Sequence, residues 1–493
     1  MERELKLEVP DGFSLARLPR ELDGYVASPA QFRRLHTVYY DTRDLRLTRW
    51  GCSLRYRRDE GWTLKLPVPD ASKTLIREEH VFEGSDAEIP AAALDLATAY
   101  IRGAEVVRIA ELRTLRSSRE LHDGTGEDLA EVVEDDVRVV DGTHVTRHFH
   151  QIEIELADSA DASAIDSISR VLRSEGAGPP NPIPKNVLAI GDGAAEPELL
   201  VPEIGPDSTA GDVVRAAFAK SVELFIRSDA KLRLSDDAEI VHHARVAIRR
   251  LRSDLRSFGP LLEEQWACAL RDKLSWLQDA LSAVRDNDVL ASRLKELAGQ
   301  LSPSDFARAA PILDSLRKSR DEAHEQARKT LHDEAYVQLL NEIVEAARQP
   351  RLVEMAAQPA SAVLSSLINY PYKRTRKAVR RAGQSPSDRD LHKIRIRAKY
   401  LRYAAEAFSP VAGRAAQDVA CKAEELQTIL GDQHDGVVAV ARLRGFTAPV
   451  KSLFAAGELA MLAQQFSLAA QSRWRKAWRR LRRARNDFRA RFP

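Results

Sequence analysis

The chain begins with MERELKLEV (residues 1–9), in which charged and apolar residues alternate. Successive side chains of a β-strand point to opposite faces, so the segment predicts a strand with one apolar and one charged face. The apolar face carries Leu5, Leu7 and Val9, and the charged face Glu2, Glu4, Lys6 and Glu8. A solvated edge strand would explain such a charged row. A site for a metal ion and an anion would explain it equally, and the rest of the sequence must decide.

The same alternation recurs in four later segments of the first 155 residues. The paired charged or polar positions are Arg55 and Arg57 in SLRYRR, Thr63 and Lys65 in TLKLP, Arg77 and Glu79 in LIREEHVF, and Glu153 and Glu155 in HQIEIELAD. Solvated strand faces usually mix such charges with Ser, Thr and Gln. A barrel with a charged interior and an exterior packed against helices explains the pattern better. Such an interior must hold water, metal and anion, because unpaired buried charge is costly.

These residue types favour phosphate chemistry. Carboxylate pairs suit a hard divalent cation such as Mg²⁺ or Mn²⁺, which takes further oxygen ligands from phosphates. Arginine and lysine side chains suit phosphate oxygens. Phosphoryl transfer mainly requires positioning and charge neutralisation, which this set could supply.

The chain divides into two halves of different periodicity and charge. Strand-like alternation ends near residue 190, and long helical patterns rich in Ala, Leu and Arg start near residue 208. Residues 1–206 contain 25 Lys and Arg against 38 Asp and Glu, whereas residues 207–493 contain 50 against 35. Glycine and proline are concentrated between the halves. We therefore predict domains at 1–195 and 208–493 with a linker at 196–207.

Cysteine content and hydropathy indicate the cellular compartment of the protein. Cys52, Cys268 and Cys421 lie far apart without metal-ligand spacing, which predicts a reducing compartment and no disulfide framework. We find neither a long apolar stretch nor a signal-peptide pattern and predict a cytoplasmic protein without a transmembrane segment.

The second half contains an internal duplication. VHHARVAIRRLRSDLRSF from Val241 matches LHKIRIRAKYLRYAAEAF from Leu391, and LQDALSAVRD from Leu277 matches LQTILGDQHD from Leu426. The helical spacing places one row of basic side chains on each copy. The rows are His242, Arg245, Arg249 and Arg252, and His392, Arg395, Lys399 and Arg402. Few acidic residues offset the positive charge of these rows, which favours a bound polyanion over a solvated helix face. The two histidines could instead be core residues of the bundle.

The first half resembles the CYTH domains, or triphosphate tunnel metalloenzymes, over residues 1–195. The resemblance rests on the E-x-E-x-K strand, the paired positions above, Tyr40 and Asp41 in YYDT, and Lys185 in PIPKNVLAI. It implies an eight-stranded antiparallel barrel that forms a tunnel, in which glutamates bind metal and basic residues grip a triphosphate.

Carried over residue by residue, the resemblance implies a complete site. The metal ligands would be Glu2, Glu4, Glu153, Glu155 and Asp135; the triphosphate contacts Lys6, Arg55, Arg57, Lys65, Arg77, Arg113, Arg116 and Lys185; and the catalytic carboxylates Glu79 and Glu153. Arg113 and Arg116 are preferred over Arg119, and Asp135 over Asp136. A β-bulge would change that choice.

The second half resembles the CHAD domain, a helical domain named for its conserved histidines, over residues 208–493. The family implies binding of inorganic polyphosphate by the eight residues of the two basic rows, and recruitment to polyphosphate granules would follow. Lys220, Arg227, Lys373 and Arg380 could widen this surface. The basic tail SRWRKAWRRLRRARNDFRARF is predicted to be the last bundle helix rather than a nucleic-acid or membrane contact.

Together these features predict an α+β multidomain enzyme. An N-terminal eight-stranded barrel with flanking helices would hydrolyse inorganic triphosphate, or a related triphosphate, with Mg²⁺ or Mn²⁺. A C-terminal all-α domain of two duplicated bundles would bind polyphosphate, and nucleic acid is not favoured as a partner. The alternatives are a non-catalytic polyphosphate-binding scaffold and a class IV-like adenylate cyclase.

Overall fold

The structure of the 493-residue chain is a computed structural model. It describes all residues except 1, 11, 23, 68–74, 125, 158, 162, 192, 195, 448–449 and 493, and not the side chains of 2, 3, 75 and 76. The described chain forms two compact units, Met1–Glu198 and Leu199–Pro493.

The first unit contains an antiparallel sheet whose hydrogen-bonded neighbours close into a ring. Its strands are β1 (Glu2–Glu8), β2 (Glu21–Leu22), β3 (Tyr25–Ala27), β4 (Gln31–Thr42), β5 (Ser53–Arg57), β6 (Gly61–Pro67), β7 (Leu75–Phe82), β8 (Val106–His122), β9 (Asp128–Asp141) and β10 (His144–Leu156). The ring runs β8-β4-β5-β6-β7-β1-β10-β9 and returns to β8, while β2 and β3 extend from β8. The eight-stranded antiparallel barrel predicted for this half is confirmed.

Strand register explains why the charged positions face inward. Glu4 pairs with Glu155 and Lys6 with Glu153 between β1 and β10, and the alternate residues Ile152 and Ile154 are fully buried on the other face. That outer apolar face packs against helix α4 (Ala164–Ser174). Burial of apolar side chains on the outside therefore turns every second, charged residue toward the barrel axis.

Four further short helices belong to this unit: α1 (Arg46–Arg49), α2 (Ala91–Leu96), α3 (Thr98–Ile101) and α5 (Lys185–Ile190). Asp41 of the YYDT segment anchors the start of α1, since its carboxylate accepts the backbone N–H groups of Leu47 and Thr48 at 2.8 Å each. Asp41 is fully buried, and its hydrogen bonds to the backbone give it a structural role.

The second unit is built mainly from helices among its described residues. Its helices are α6 (Ala210–Leu234), α7 (Ala238–Ser257), α8 (Glu264–Ala298), α9 (Pro303–Leu331), α10 (Glu334–Arg348), α11 (Ala360–Ala382), α12 (Asp388–Ala412), α13 (Arg414–Arg444) and α14 (Val450–Arg491). The duplicated basic rows lie on α7 and α12, which pack against each other. Phe258 and Phe408, which are equivalent in the duplication, have ring centroids 6.0 Å apart. The predicted pair of duplicated bundles is confirmed.

Helix α14 contains the predicted basic tail. Trp474, Trp478, Leu481 and Phe488 are buried along it, as expected for a bundle helix. Within the described residues, α14 also has an 18-residue window of mean hydropathy 1.2, of which a third is buried. One such helix is weak evidence for membrane insertion, because core helices of soluble proteins pass the same test. The cytoplasmic location stays a prediction.

Candidate functional site

The barrel encloses a polar cavity of about 220 Å³. Of the residues selected from the sequence, Glu4, Lys6, Arg55, Arg57, Lys65, Arg77, Glu79, Arg116, Glu153, Glu155 and Lys185 line it. They come from six strands and from the first residue of α5. The barrel thus brings together side chains up to 181 positions apart in the chain.

Three carboxylates converge in this cavity. One oxygen from each of Glu4, Glu153 and Glu155 lies within 4.8 Å of the others. Oxygen Oε1 of Glu4 is buried without a hydrogen-bond partner. An unsatisfied carboxylate oxygen beside two other carboxylates fits a hard divalent cation. Glu2, the other predicted ligand on β1, has a side chain outside the described residues.

Two lysines contact the carboxylates of this cluster. The Lys6 ammonium donates to Glu4 Oε2 at 2.9 Å and to Glu153. The Lys185 ammonium contacts Glu153 and Asp135. Burial alone would raise the pKa of Glu153, but the charges of Lys185 and Lys6 outweigh it and place that pKa well below its usual range. Burial lowers the pKa of Lys6, and Glu153 and Glu4 more than reverse this. Glu153 and Lys6 therefore stay charged across the physiological range.

Asp135 differs from the three converging glutamates. Both of its oxygens accept from the Arg116 guanidinium, at 2.9 and 2.8 Å, and one of them also contacts Lys185. Burial raises the pKa of Asp135, and Lys185 and Arg116 lower it to a net value below the usual one. Asp135 thus contacts Arg116 and Lys185, and its role as a metal ligand stays a prediction.

A second wall of the cavity is cationic. Arg57 donates to Thr37 Oγ1 at 2.9 Å and to Glu60 at 2.8 Å, and Lys65 contacts Glu79. The Nε of Arg55 is buried without a hydrogen-bond partner. Burial lowers the pKa of Arg57, and the neighbouring charge of Arg55 lowers it further. An anion bound here would relieve this crowding of positive charge.

Arg113 does not line the cavity. It lies three residues before Arg116 in β8, and no register shift occurs between them in the ladders to β4 and β9. An odd spacing places two side chains on opposite faces, so Arg113 is exposed on the outside of the barrel while Arg116 points inward. The selection of Arg113 was therefore wrong. Arg119 shares that outer face and donates to the backbone carbonyls of Ser28 and Leu18.

Four other residues line the cavity and were missed: Tyr39, Ser53, Glu60 and Asn186. Ser53 could have been found, because it has the same parity as Arg55 and Arg57 in β5. Tyr39 lies opposite Arg55 in the ladder between β4 and β5. Glu60 lies in a turn and Asn186 in a short helix, where strand alternation gives no signal.

The helical unit concentrates its basic residues where the two copies meet. Lys399 of α12 is surrounded by Arg249, Arg395, Arg252 and Arg245, which come from both copies. Burial and these arginines lower the pKa of Lys399 to about 7. The hydroxyl of Tyr403 accepts from Arg249 Nε at 3.2 Å and orients it. An anion would stabilise such a cluster of cations.

The duplication extends to the partners of the basic row. Arg245 pairs with Asp286 at 3.0 Å, and its equivalent Arg395 interacts with Asp435. The ring of His392 lies 4.4 Å from that of His434, centroid to centroid. Burial lowers the pKa of His392, and His434 lowers it further. His434 was missed as a site residue although it lies in the matched LQTILGDQHD block.

Arg402 and Arg252, two further members of the rows, also have partners. Arg402 contacts Glu406 at 2.6 Å and Glu424 at 2.9 Å, and Arg252 donates to Ser275 at 3.0 Å. Of the residues suggested to widen the patch, Arg227 pairs with Glu223 at 3.0 Å. Lys373 and Arg380 line a separate basic pocket on α11.

Comparison with known families agrees with this division. A CYTH domain model matches residues 1–183 and a CHAD domain model residues 216–444. Uncharacterized protein Rv2226 of Mycobacterium tuberculosis (strain ATCC 25618 / H37Rv) is 31% identical over 445 residues, which cover 84% of this chain and 82% of that protein. Uncharacterized protein MT2285 of strain CDC 1551 / Oshkosh matches with the same identity and coverage.

Two solved structures also match. PptA from Streptomyces chartreusis is 22% identical, with a TM-score of 0.47 over 55% of this chain and 100% of that chain. The CHAD domain from the plant Ricinus communis is 23% identical, with a TM-score of 0.46 over 58% and 95%. Both TM-scores lie below 0.5, and we base no functional conclusion on these two structures.

The architecture is therefore that of a triphosphate-tunnel-type barrel joined to a helical domain of the CHAD type. The chain belongs to the family of proteins in which a CYTH domain is followed by a CHAD domain. Membership places its first unit in a phosphate-related enzyme family.

Proposed function

We propose that the barrel hydrolyses inorganic triphosphate, or a related triphosphate, with a divalent cation, and that the helical unit binds inorganic polyphosphate. The observation that carries the proposal is the composition of the cavity. Three carboxylates converge on one side, and seven Lys and Arg side chains line the same cavity among its described residues. A metal–triphosphate complex needs both kinds of partner within a few ångströms.

The carboxylate wall is suited to hold the metal. Glu4, Glu153 and Glu155 offer only oxygen donors, as Mg²⁺ and Mn²⁺ prefer, and Glu4 has an oxygen to spare. When bound, such an ion neutralises charge on the phosphate oxygens and polarises the phosphoanhydride. The cation wall, formed by Arg55, Arg57, Lys65 and Arg77, would grip the remaining phosphate oxygens, with arginine able to do so bidentately.

The two carboxylates predicted to act in catalysis suit different roles. Glu153 accepts from both Lys6 and Lys185, and its depressed pKa makes it a poor proton acceptor. We therefore assign Glu153 to the metal. Glu79, across the cavity on β7, contacts Lys65 and is the better candidate to orient the attacking water. The bond that forms joins a water oxygen to a terminal phosphorus, and the bond that breaks is the phosphoanhydride.

Polyphosphate binding by the helical unit is supported by the meeting of two basic rows. Arg249, Arg395 and Lys399 come from equivalent helices and lie close enough to perturb one another. A repeating anion with regularly spaced charges would neutralise both copies together. We further propose that this binding recruits the protein to polyphosphate granules in the cytoplasm.

The test is phosphate release from inorganic triphosphate, with Mg²⁺ or Mn²⁺ and with EDTA as a control. Glu4→Gln and Glu155→Gln are compared with Glu8→Gln, a matched change on β1 outside the cavity. We expect metal-dependent release that falls at least a hundredfold in the first two variants and less than twofold in the third. Equal activity of all four proteins would sink the assignment of the metal site.

ATP and long-chain polyphosphate in parallel separate the alternatives. Cyclic AMP with pyrophosphate from ATP would indicate a cyclase. No turnover of any substrate, with polyphosphate still bound by the full chain, would indicate a binding scaffold.

A further inference from the structure

The outer surface of the barrel carries a second group of metal-ligating side chains. Asp136 of β9 and His148 and His150 of β10 each offer one ligand atom, and these atoms lie within 4.8 Å of one another. They point away from the cavity, because Asp135 and Glu153, of opposite parity, point into it. The proposed triphosphate chemistry leaves this group without a role.

Strand pairing builds the group. His150 lies directly opposite Asp136 in the ladder, and His148 is two residues away on the same face of β10. Nε2 of His148 lies 2.5 Å and Nε2 of His150 3.3 Å from the same oxygen, Oδ1 of Asp136. The two imidazole rings are 5.3 Å apart, centroid to centroid. Both rings thus present the same nitrogen to one point beside the carboxylate.

We propose that Asp136, His148 and His150 bind one late first-row divalent cation, for which Zn²⁺ is the probe. Imidazole with carboxylate suits zinc-like ions, whereas the all-oxygen group inside the barrel suits Mg²⁺ or Mn²⁺. Three protein ligands leave one position of a tetrahedral site open. All three side chains are partly exposed, so an ion enters directly from solvent.

The charged residues near the group influence which ligand occupies the fourth coordination position of the ion. Arg138 lies opposite His148 in the ladder, and Arg113 lies opposite Arg138 on β8. Both guanidiniums line one outer surface pocket with Asp136. They oppose a bare cation and favour an anion, such as chloride or phosphate, as the fourth ligand.

Zinc binding to the full chain tests the proposal. Isothermal titration with Zn²⁺ in a phosphate-free buffer compares the wild type, a His148→Ala, His150→Ala double variant, and a His36→Ala, His144→Ala double variant as the matched control. All are repeated in a Glu4→Gln, Glu155→Gln background, which weakens the inner site. We expect the first double variant to bind one equivalent of Zn²⁺ fewer in both backgrounds, and the control to bind as the wild type does.

Equal stoichiometry in the wild type and the His148→Ala, His150→Ala variant would overturn the proposal and leave ordinary histidine–carboxylate hydrogen bonds at this surface. Asp136→Asn keeps the shape of the group and should weaken zinc binding at least tenfold. Unchanged binding in Asp136→Asn would overturn the ligand assignment. Co²⁺ bound in place of Zn²⁺ should show the visible absorption of a tetrahedral ion in the wild type, and this absorption should be missing in the His148→Ala, His150→Ala variant. Circular dichroism of that variant checks that it folds.

Discussion

The two sites of the molecule arrange positive charge in opposite ways. In the barrel, Lys6 and Lys185 each lie between two carboxylates, and the pKa of Glu153 is held well below its usual range. In the helical unit, Lys399 lies among arginines, and its pKa falls to about 7. Lys6 therefore keeps its charge at physiological pH, whereas Lys399 is partly neutral near pH 7. The first arrangement fits the proposed metal and phosphate site, and the second predicts that the proposed polyphosphate binding depends on pH.

The largest expected effect tests the pairing in the barrel. Glu153→Gln leaves Lys6 and Lys185 without their shared carboxylate, and breaking a buried ion pair costs about 3–5 kcal/mol. We expect the barrel to lose roughly that much free energy of unfolding, measured by urea denaturation, together with the proposed triphosphate hydrolysis. Asp136→Asn, on the outside of the neighbouring strand, should change stability by less than about 1 kcal/mol. Similar losses in both variants would remove the contrast between the inner and outer faces.

The pH dependence of the barrel has a defined sign. Because the folded pKa of Glu153 is depressed, its contribution to stability is complete above its unfolded pKa, about 4.3. That contribution is lost as the pH falls through the folded pKa. The contribution of Glu153 to barrel stability should therefore be constant from pH 7 to 5 and fall only in stronger acid. Midpoints of thermal unfolding measured across this pH range check the expectation.

The next effect compares two arginines of the second basic row, Arg395 and Arg402. Nε of Arg395 is buried without a hydrogen-bond partner, whereas Arg402 pairs with Glu406 and Glu424. Hydrogen bonds between charged groups contribute about 1.5–3 kcal/mol, so Arg395→Gln should weaken polyphosphate binding roughly tenfold to hundredfold. Arg402→Gln should weaken it less than about threefold. Fluorescence anisotropy with labelled polyphosphate measures both, and equal effects would contradict the distinction.

A smaller effect concerns the pH dependence of polyphosphate binding. Above pH 7 Lys399 is mostly neutral in the free protein, and a bound polyanion favours its charged form. Binding then takes up a proton, and affinity should fall by at most about tenfold per pH unit above pH 7. Lys399→Arg keeps its charge and should flatten this profile between pH 7 and 9. An unchanged slope in that variant would show that Lys399 does not carry the dependence.

The smallest effect tests the direction of side chains in β8. Arg116 lines the cavity and Arg113 lies outside it. We expect Arg113→Ala to change triphosphate hydrolysis less than about twofold, whereas Arg116→Ala should lower it about tenfold to hundredfold, since a charge-assisted bond to phosphate is lost. A comparable loss in both would place Arg113 back in the site.

Strand alternation predicted most of the inner face of the barrel. MERELKLEV and HQIEIELAD each placed apolar and charged residues on opposite faces, and the observed register pairs Glu4 with Glu155 and Lys6 with Glu153. In β8, Arg113, Arg116 and Arg119 are spaced by three residues, so neighbouring arginines of this series point to opposite faces of the strand. The sequence therefore could not choose among them without the ladder.

The sequence by itself determined the two units, the alternating strands and the duplicated basic helices, because these depend on local periodicity. Only the tertiary structure decided what each charge contacts. It showed that Asp135 accepts hydrogen bonds from Arg116 and Lys185 and that Asp41 anchors a short helix. It also showed that Lys399 lies among arginines of both copies. Coulomb energies and pKa values depend on distance and burial, and for residues far apart in the chain those are set only when the strands and helices pack.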